Sequence, residues 1–281
     1  MHSRHTIPLP GRDPLILGER PLIMGILNVT PDSFSDGGRH AAVDAAVEQA
    51  IRMVTEGADI IDVGGESTRP GADPVPVQEE LDRIMPVIDA LVAADIGVPI
   101  SIDTMKPLVA DQAIQAGASI INDVTGLQGA PEMAEIAALY GVPVVAMHWD
   151  RNRDRSVPIA EAVKSWLERS RERAAAAGVA PELLILDPGF GFAKDLAENY
   201  ALLNGLDALA GQPLLVGTSR KSMIGRLLDV PPAERVAGTV ATNVLGYAKG
   251  AHIFRVHDVR ANREALTVAQ ATIHGPPGQG D

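Results

Sequence analysis

Asp103, Asn122 and Asp187 each stand at or just beyond the C-terminal end of a short apolar run, the runs beginning at Val98, Ser119 and Leu183. A buried carboxylate is costly unless it meets hydrogen-bond donors, so these residues suit a ligand rich in N–H groups. A flat heterocycle with an amino group beside a ring N–H would meet an aspartate in bidentate fashion. Taken singly, each residue also fits a loop-capping role; three on three strands fit one polar wall. A second set is cationic. Ser219-Arg220-Lys221-Ser222 follows a seventh run, and Arg255 and His257 end an eighth. Asn28 and Ser67-Thr68-Arg69 end the first two runs, so an anionic leaving group could be gripped from both sides. A helix opening after Ser219 would add backbone N–H donors and a positive dipole end. A solvated basic loop with an ordinary ion pair is the plainer alternative. The third set is the stretch 30–38, which combines Phe34, the carboxylates Asp32 and Asp36, and the pair Gly37-Gly38. It reads either as a working loop or as a bland turn-rich one.

The elements that must carry these residues repeat. Gly57, Gly97, Gly117, Gly141, Gly178, Gly211 and Gly250 each close a helix-like stretch, and an apolar run follows each. With an earlier run over 22–27, ending at Asn28, that makes eight strands. Glycine tolerates the left-handed backbone that often follows a helix C-terminus. Continuous apolar runs mark strands buried on both faces, as in parallel sheets. Helical spacing of apolar residues predicts helices over 41–55, 77–93, 107–116, 131–139, 159–177, 196–210 and 232–248, with a last one after Asp258. Prolines 107, 131, 181 and 232 fall at or near element starts, where a missing N–H matters little. Alternating strands and helices with polar residues at one end of every strand predict a (β/α)8 barrel whose active site lies at the C-terminal ends of the strands. The long connections 28–39, 64–76 and 149–158 follow strands one, two and five and lie at that rim. Loops of this length there are often mobile lids.

The 281 residues, 46% of them hydrophobic, suffice for one such barrel of about 250 residues. Residues 1–20 read as an N-terminal extension with a possible short strand at Leu15-Ile16-Leu17, 21–273 as the barrel, and 274–281 as a frayed tail. A net charge of −12 argues against a nucleic-acid surface. The absence of cysteine excludes disulfides and thiolate metal sites. No apolar stretch has membrane-spanning length and no signal-peptide core is present, so a cytoplasmic protein is expected. Gly189-Phe190-Gly191 lacks the third glycine of a dinucleotide loop. Neither a zinc-type histidine spacing nor a Gly-x-Ser-x-Gly elbow occurs.

Seven stretches in order resemble the dihydropteroate synthase family: LIMGILNVTPDSFSDGG from Leu22, DVGGESTRPG from Asp62, SIDT from Ser101, INDV from Ile121, DPGFGFAK from Asp187, SRKS from Ser219 and RVHDV from Arg255. The resemblance runs from about residue 15 to 270. It implies a (β/α)8 barrel enzyme that condenses 6-hydroxymethyl-7,8-dihydropterin pyrophosphate with 4-aminobenzoate, giving 7,8-dihydropteroate and pyrophosphate. It also implies roles. Asp187 would read the 2-amino and N3–H edge of the pterin, with Asn122, Lys221 and Asp103 on the remaining wall and Met147 and Phe190 packed around the ring. Arg255 would stack on a pterin face. Asn28 would ligate Mg2+ on the pyrophosphate, helped by Ser67, Thr68, Arg69, Arg255 and His257. Phe34, Thr68, Pro70, Lys221 and Ser222 would frame the aminobenzoate. Asp36, with Lys221 and Arg255, would act in catalysis.

The implied chemistry is an SN1-like substitution. Pyrophosphate leaves once its charge is taken up, a pterin-methylene cation forms, and the neutral aromatic amine captures it. Asp36 would sit near that cation and exclude water. A homodimer is implied as well. The chain departs from the family pattern at 149–158, where a charged loop follows Met147-His148, expected to be solvated. It departs again at 238–244, read as a packing change. Two rivals share the fold: a silent pterin-binding paralogue and the pterin domain of a corrinoid methyltransferase. The first would have lost pocket residues that are present here, and the second would need a cobalamin partner. An unrelated sugar-phosphate barrel would have no use for a heterocycle pocket around Asp187.

Overall fold

A computed structural model describes residues 2–29, 38–67 and 73–276. It opens with an antiparallel hairpin, β1 (His5–Leu9) and β2 (Arg12–Leu17), the second of which contains the expected strand at Leu15-Ile16-Leu17. Eight parallel strands follow: β3 (Leu22–Asn28), β4 (Ile60–Gly64), β5 (Ile100–Asp103), β6 (Ile120–Asp123), β7 (Val144–Met147), β8 (Leu184–Asp187), β9 (Leu215–Val216) and β10 (Ile253–Val256). They pair in the order β8-β7-β6-β5-β4-β3-β10-β9, and a parallel bridge between Leu186 and Leu214 closes the ring. The expected (β/α)8 barrel is therefore the observed fold.

Helices α1 (Gly38–Thr55), α2 (Val77–Ala93), α3 (Pro107–Gln115), α4 (Glu132–Tyr140), α5 (Ile159–Ala176), α6 (Leu196–Asn204), α7 (Ser222–Leu228), α8 (Val236–Ala248) and α9 (Val259–His274) form the outer shell. Two predicted helices are broken. The one expected over 196–210 stops at Gly205 and continues as a 3-10 turn, Leu206–Leu209. The one expected over 232–248 starts as a separate 3-10 turn, Pro232–Glu234, and the α-helix begins only at Val236, after Arg235 (φ −88°, ψ 9°). The seven junction glycines all have positive φ, from 61° to 116°. At Gly117 a side chain would also meet Val92 at 2.8 Å, so strain and collision both require glycine there.

The hairpin reserved as an N-terminal extension seals the barrel. Ile7, Leu9, Leu15 and Leu17 form one apolar cluster with Leu22, Met24, Ile60, Ile120, Val145, Ile185, Leu215 and Ile253, separate from the larger core between strands and helices. Side chains alternate along a strand, so residues two places further on also face the lumen. Those residues include Asp62, Asn122, Met147, Asp187 and Arg255. An apolar plug thus supports a polar layer directly above it.

Histidines fasten the plug. His252 Nδ1 accepts from the Leu214 N–H at 3.3 Å, so its proton is on Nε2, which donates to Ser3 O at 3.0 Å. Burial lowers its pKa to about 4, against the raising effect of the Ser3 bond. A lowered folded-state pKa means stability present above the ordinary value of 6.5 and lost as pH falls toward 4. Melting curves between pH 7 and 4 should therefore show Tm falling, and His252→Gln should flatten part of that fall. The last helix runs through His274, whose ring lies 3.0 Å from His2 Nδ1. The segment expected to fray is thus helical at its start.

Candidate active site

The polar layer is wired together by Arg255. Its Nε donates to Asp62 Oδ2 at 2.6 Å and its Nη2 to Asp103 Oδ2 at 2.6 Å. Asn122 Nδ2 reaches the same Asp62 oxygen at 3.1 Å. The guanidinium thus joins β10 to β4 and β5, and Asp62 carries the link on to β6. Burial pushes the Asp103 carboxyl up to about 7, with Arg255 pulling it down and Asp62, Glu80 and Asp123 adding to the rise. Burial lowers the Arg255 pKa, but Asp62 and Asp103 more than offset this, and the guanidinium stays charged. Among the described residues, the second oxygens of both aspartates and Ser101 Oγ are buried without a partner. Such atoms mark a place built to receive donors.

Asp187 ends β8. Its Oδ1 accepts from the Gly189 N–H at 2.7 Å. Burial raises its pKa, and Lys221, the Gly189 bond, Lys194 and Arg255 lower it. Gly189 has φ 69°, and a side chain there would lie 2.1 Å from His148 O; only glycine permits this turn. Lys221 caps α7 and donates to Phe190 O. Burial lowers its pKa to about 8, with Asp187 holding it up. Met147 is buried at the end of β7. The Phe190 ring is fully buried in the core between strands and helices, so it meets Lys221 through its carbonyl. The Phe192 ring lies under that ammonium, 4.5 Å from Nζ to ring centroid.

On the same rim Asn28 ends β3, half-buried, in register with Gly64. Ser219 Oγ shares a hydrogen bond with His257 Nδ1 at 2.9 Å and accepts from the His257 N–H at 3.1 Å, tying the ends of β9 and β10. Ser222 begins α7 and is exposed, as is Ser67 in the loop after β4. Phe34, Asp36, Thr68, Arg69 and Pro70 lie outside the described residues. Asn28 supplies one hard, neutral oxygen, and among the described residues no group of three His, Asp or Glu side chains gathers to hold a metal. That donor set fits Mg2+ held chiefly by phosphate oxygens and water.

Several residues of the site escaped the sequence reading. Asp62 is the central one. The available signal was its offset, two places beyond an inward apolar residue, as for Asn122, Asp187 and Arg255. Lys194 Nζ contacts Gly189 O at 2.7 Å, His148 Nδ1 at 2.8 Å and Phe192 O at 3.1 Å, threading the loop that supports Asp187 and Lys221. Three acceptors match the three protons of an ammonium, although burial lowers its pKa to about 7. The packing change at 238–244 proves to be polar: Thr239 accepts from the Arg220 N–H at 3.0 Å, and Thr242 and Asn243 bond Thr218. These bonds hold the 218–221 turn. The loop 149–158 is not simply solvated. Arg153 is only 4% exposed and pairs with Glu198, while Trp149 packs edge-on against Phe192 at 5.2 Å.

Residues 24–257 match the family of pterin binding enzymes. The chain is 50% identical over 244 residues to a dihydropteroate synthase of Bacillus subtilis, covering 86% of this chain and 85% of that one. It is 50% identical over 262 residues to that of Escherichia coli, covering 90% and 92%. This chain belongs to the dihydropteroate synthase family. Among solved members, the Xanthomonas albilineans dihydropteroate synthase with 4-aminobenzoic acid superposes with a TM-score of 0.91 at 46% identity, covering 98% of this chain and all of that one. The same enzyme in complex with 7,8-dihydropteroate gives 0.86 at 45% identity, over 96% and 100%. The dihydropteroate synthase motifs at Ser101, Ile121, Asp187, Ser219 and Arg255 all lie at the mouth described above, as does the described part of the motif from Asp62.

Proposed function

We propose that this chain is a dihydropteroate synthase, joining 6-hydroxymethyl-7,8-dihydropterin pyrophosphate to 4-aminobenzoate and releasing pyrophosphate. The observation that carries the reading is the convergence of Asp103, Asn122, Asp187, Lys221 and Arg255, from five parts of the chain, on one barrel mouth. In this reading Asp187 accepts from the 2-amino group and N3–H, and Asn122 and Lys221 hold the flanking edges. Arg255, fixed by two carboxylates, presents its flat guanidinium to the ring. Ser67, Thr68, Arg69 and His257 meet the pyrophosphate, and Phe34, Thr68, Pro70 and Ser222 the aminobenzoate.

Mg2+ at Asn28 would supply charge neutralisation for the leaving group. The protein's own part is to orient the pterin, balance charge and keep water from the reacting carbon. Asp36 would stand by the developing pterin-methylene cation. The aromatic amine is neutral at pH 7, so no strong base is needed, and the substitution is SN1-like without a covalent enzyme intermediate. A stable pterinyl-enzyme adduct would contradict this.

The deciding experiment is a turnover assay with both substrates and Mg2+, scored for 7,8-dihydropteroate; no product over background would refute the reading. Ser222→Ala is expected to raise KM for 4-aminobenzoate several-fold while leaving pterin affinity unchanged. The reading includes a homodimer, supported by the exposed Leu227, Leu228 and Leu245 on α7 and α8. Light scattering should return twice the 29.5 kDa chain mass. A cytoplasmic location is part of the same reading; no helix among the described residues is long and apolar enough to cross a membrane.

A further inference from the structure

Asp62 sits in the middle of β4, between Ile61 and Val63, with its side chain fully buried. Its Oδ2 is shared by Arg255 Nε and Asn122 Nδ2. β4 and β6 are not neighbours, since β5 lies between them, so the Asp62–Asn122 bond passes inside the barrel. An ionised carboxylate only accepts, which dictates that the nitrogen end of the Asn122 amide turns toward β4. The two ends of an amide are nearly equal in size, and only such a partner tells them apart. Asn122 is thereby left with its oxygen and one N–H in fixed places.

We propose that Asp62 is a positioning residue that sets ligand specificity: by locking the Asn122 amide it makes the mouth select a reduced dihydropterin over the fully oxidised ring. The proposal rests on the dihydropteroate synthase reading. Around the barrel, Asn122 on β6 and Lys221 beyond β9 flank Asp187 on β8 from opposite sides. An ammonium only donates, so Lys221 takes the ring edge bearing O4 and N5, both acceptors. The N1–N8 edge falls to Asn122. In 7,8-dihydropterin N8 carries a hydrogen and N1 a lone pair, matching an amide that presents oxygen and N–H in a fixed order. In oxidised pterin both nitrogens carry lone pairs, so the Asn122 oxygen faces another acceptor and both are left unsatisfied in a buried place. Such a mismatch is expected to weaken binding about ten-fold or more.

The test is calorimetric titration of the full-length protein with 6-hydroxymethyl-7,8-dihydropterin and with oxidised 6-hydroxymethylpterin. Wild type is expected to prefer the reduced ligand at least ten-fold. In Asp62→Asn the Asn122 amide is free to turn over, and the preference should shrink to about two-fold. Asn122→Leu, which leaves the Asp62–Arg255 pair in place, should lose the preference too, and Asp62→Ser, which likewise takes the carboxylate away from Asn122, replaces the first variant if that one does not fold. A residue with a merely structural role would weaken both ligands equally and leave the ratio unmoved. Retention of the ten-fold preference in either folded variant overturns the proposal, as does its absence from wild type. Wild type that binds neither pterin would instead sink the dihydropteroate synthase reading, and the proposal with it.

Discussion

Asp187→Ala is expected to raise the dissociation constant for the dihydropterin by about three orders of magnitude, roughly 4 kcal/mol, because it removes a bidentate, charge-assisted acceptor from a buried place. Among the described residues, the charged groups that act on Asp187 cannot substitute for it. Lys221 and Lys194, the cations nearest in effect, both donate, as the ligand's N–H edge does. Asp187→Asn is the sharper variant. It keeps an oxygen for the Gly189 N–H bond, so the turn at 188–191 should hold and Tm should stay close to wild type. It nevertheless sets an NH2 group against the ligand's donors. Normal pterin binding by Asp187→Ala would show that the pocket lies elsewhere.

Arg255→Leu should abolish turnover and also destabilise the fold. The substitution strands Asp62 and Asp103, which are 0% and 8% exposed in their side chains, without their shared cation. Breaking a buried pair in this way costs about 3–5 kcal/mol, which for a chain of this size lowers Tm by roughly 10 °C. The loss depends on pH with a definite sign. Burial raises the Asp103 pKa above its ordinary 3.8 to about 7, so its contribution to stability is full below 3.8 and lost as pH rises through about 7. Removing the opposing guanidinium exaggerates that trend. The variant should therefore recover part of its Tm at pH 5.5 relative to pH 8. Arg255→Lys separates the two roles. It restores a positive charge and some stability, but a single ammonium cannot offer two carboxylates a planar fork, nor a flat face to a ring, so activity should stay low. Equal melting of Arg255→Leu and wild type across this range would contradict the account.

How much of this was legible in the chain follows from the range of the interactions concerned. The barrel was legible, because its signals are local. A glycine after each helix, an apolar run after each glycine and a polar residue after each run recur through the sequence. Strand bounds followed to within two residues because burial on both faces leaves no alternation to misread. The breaks at Gly205 and Arg235 were missed, since in each case a 3-10 turn adjoins the α-helix and keeps nearly the same apolar spacing. The candidate site was legible where chemistry coincides with a strand end, as at Asp103, Asn122, Asp187, Lys221 and Arg255.

What the sequence by itself determined is thus the architecture, the family and several of the polar residues that meet at the barrel mouth. Only the tertiary structure decided how those residues are held. Asp62 looked like one polar residue inside a strand until β10 brought Arg255 across 193 positions to meet it. The hairpin at 5–17 looked like an appendage until its four apolar side chains were found closing the barrel. Arg153 looked solvated until Glu198 on α6 covered it. Each of these depends on a partner distant in sequence. A charge is costly or harmless according to that partner, and the chain acquires it only when the barrel closes.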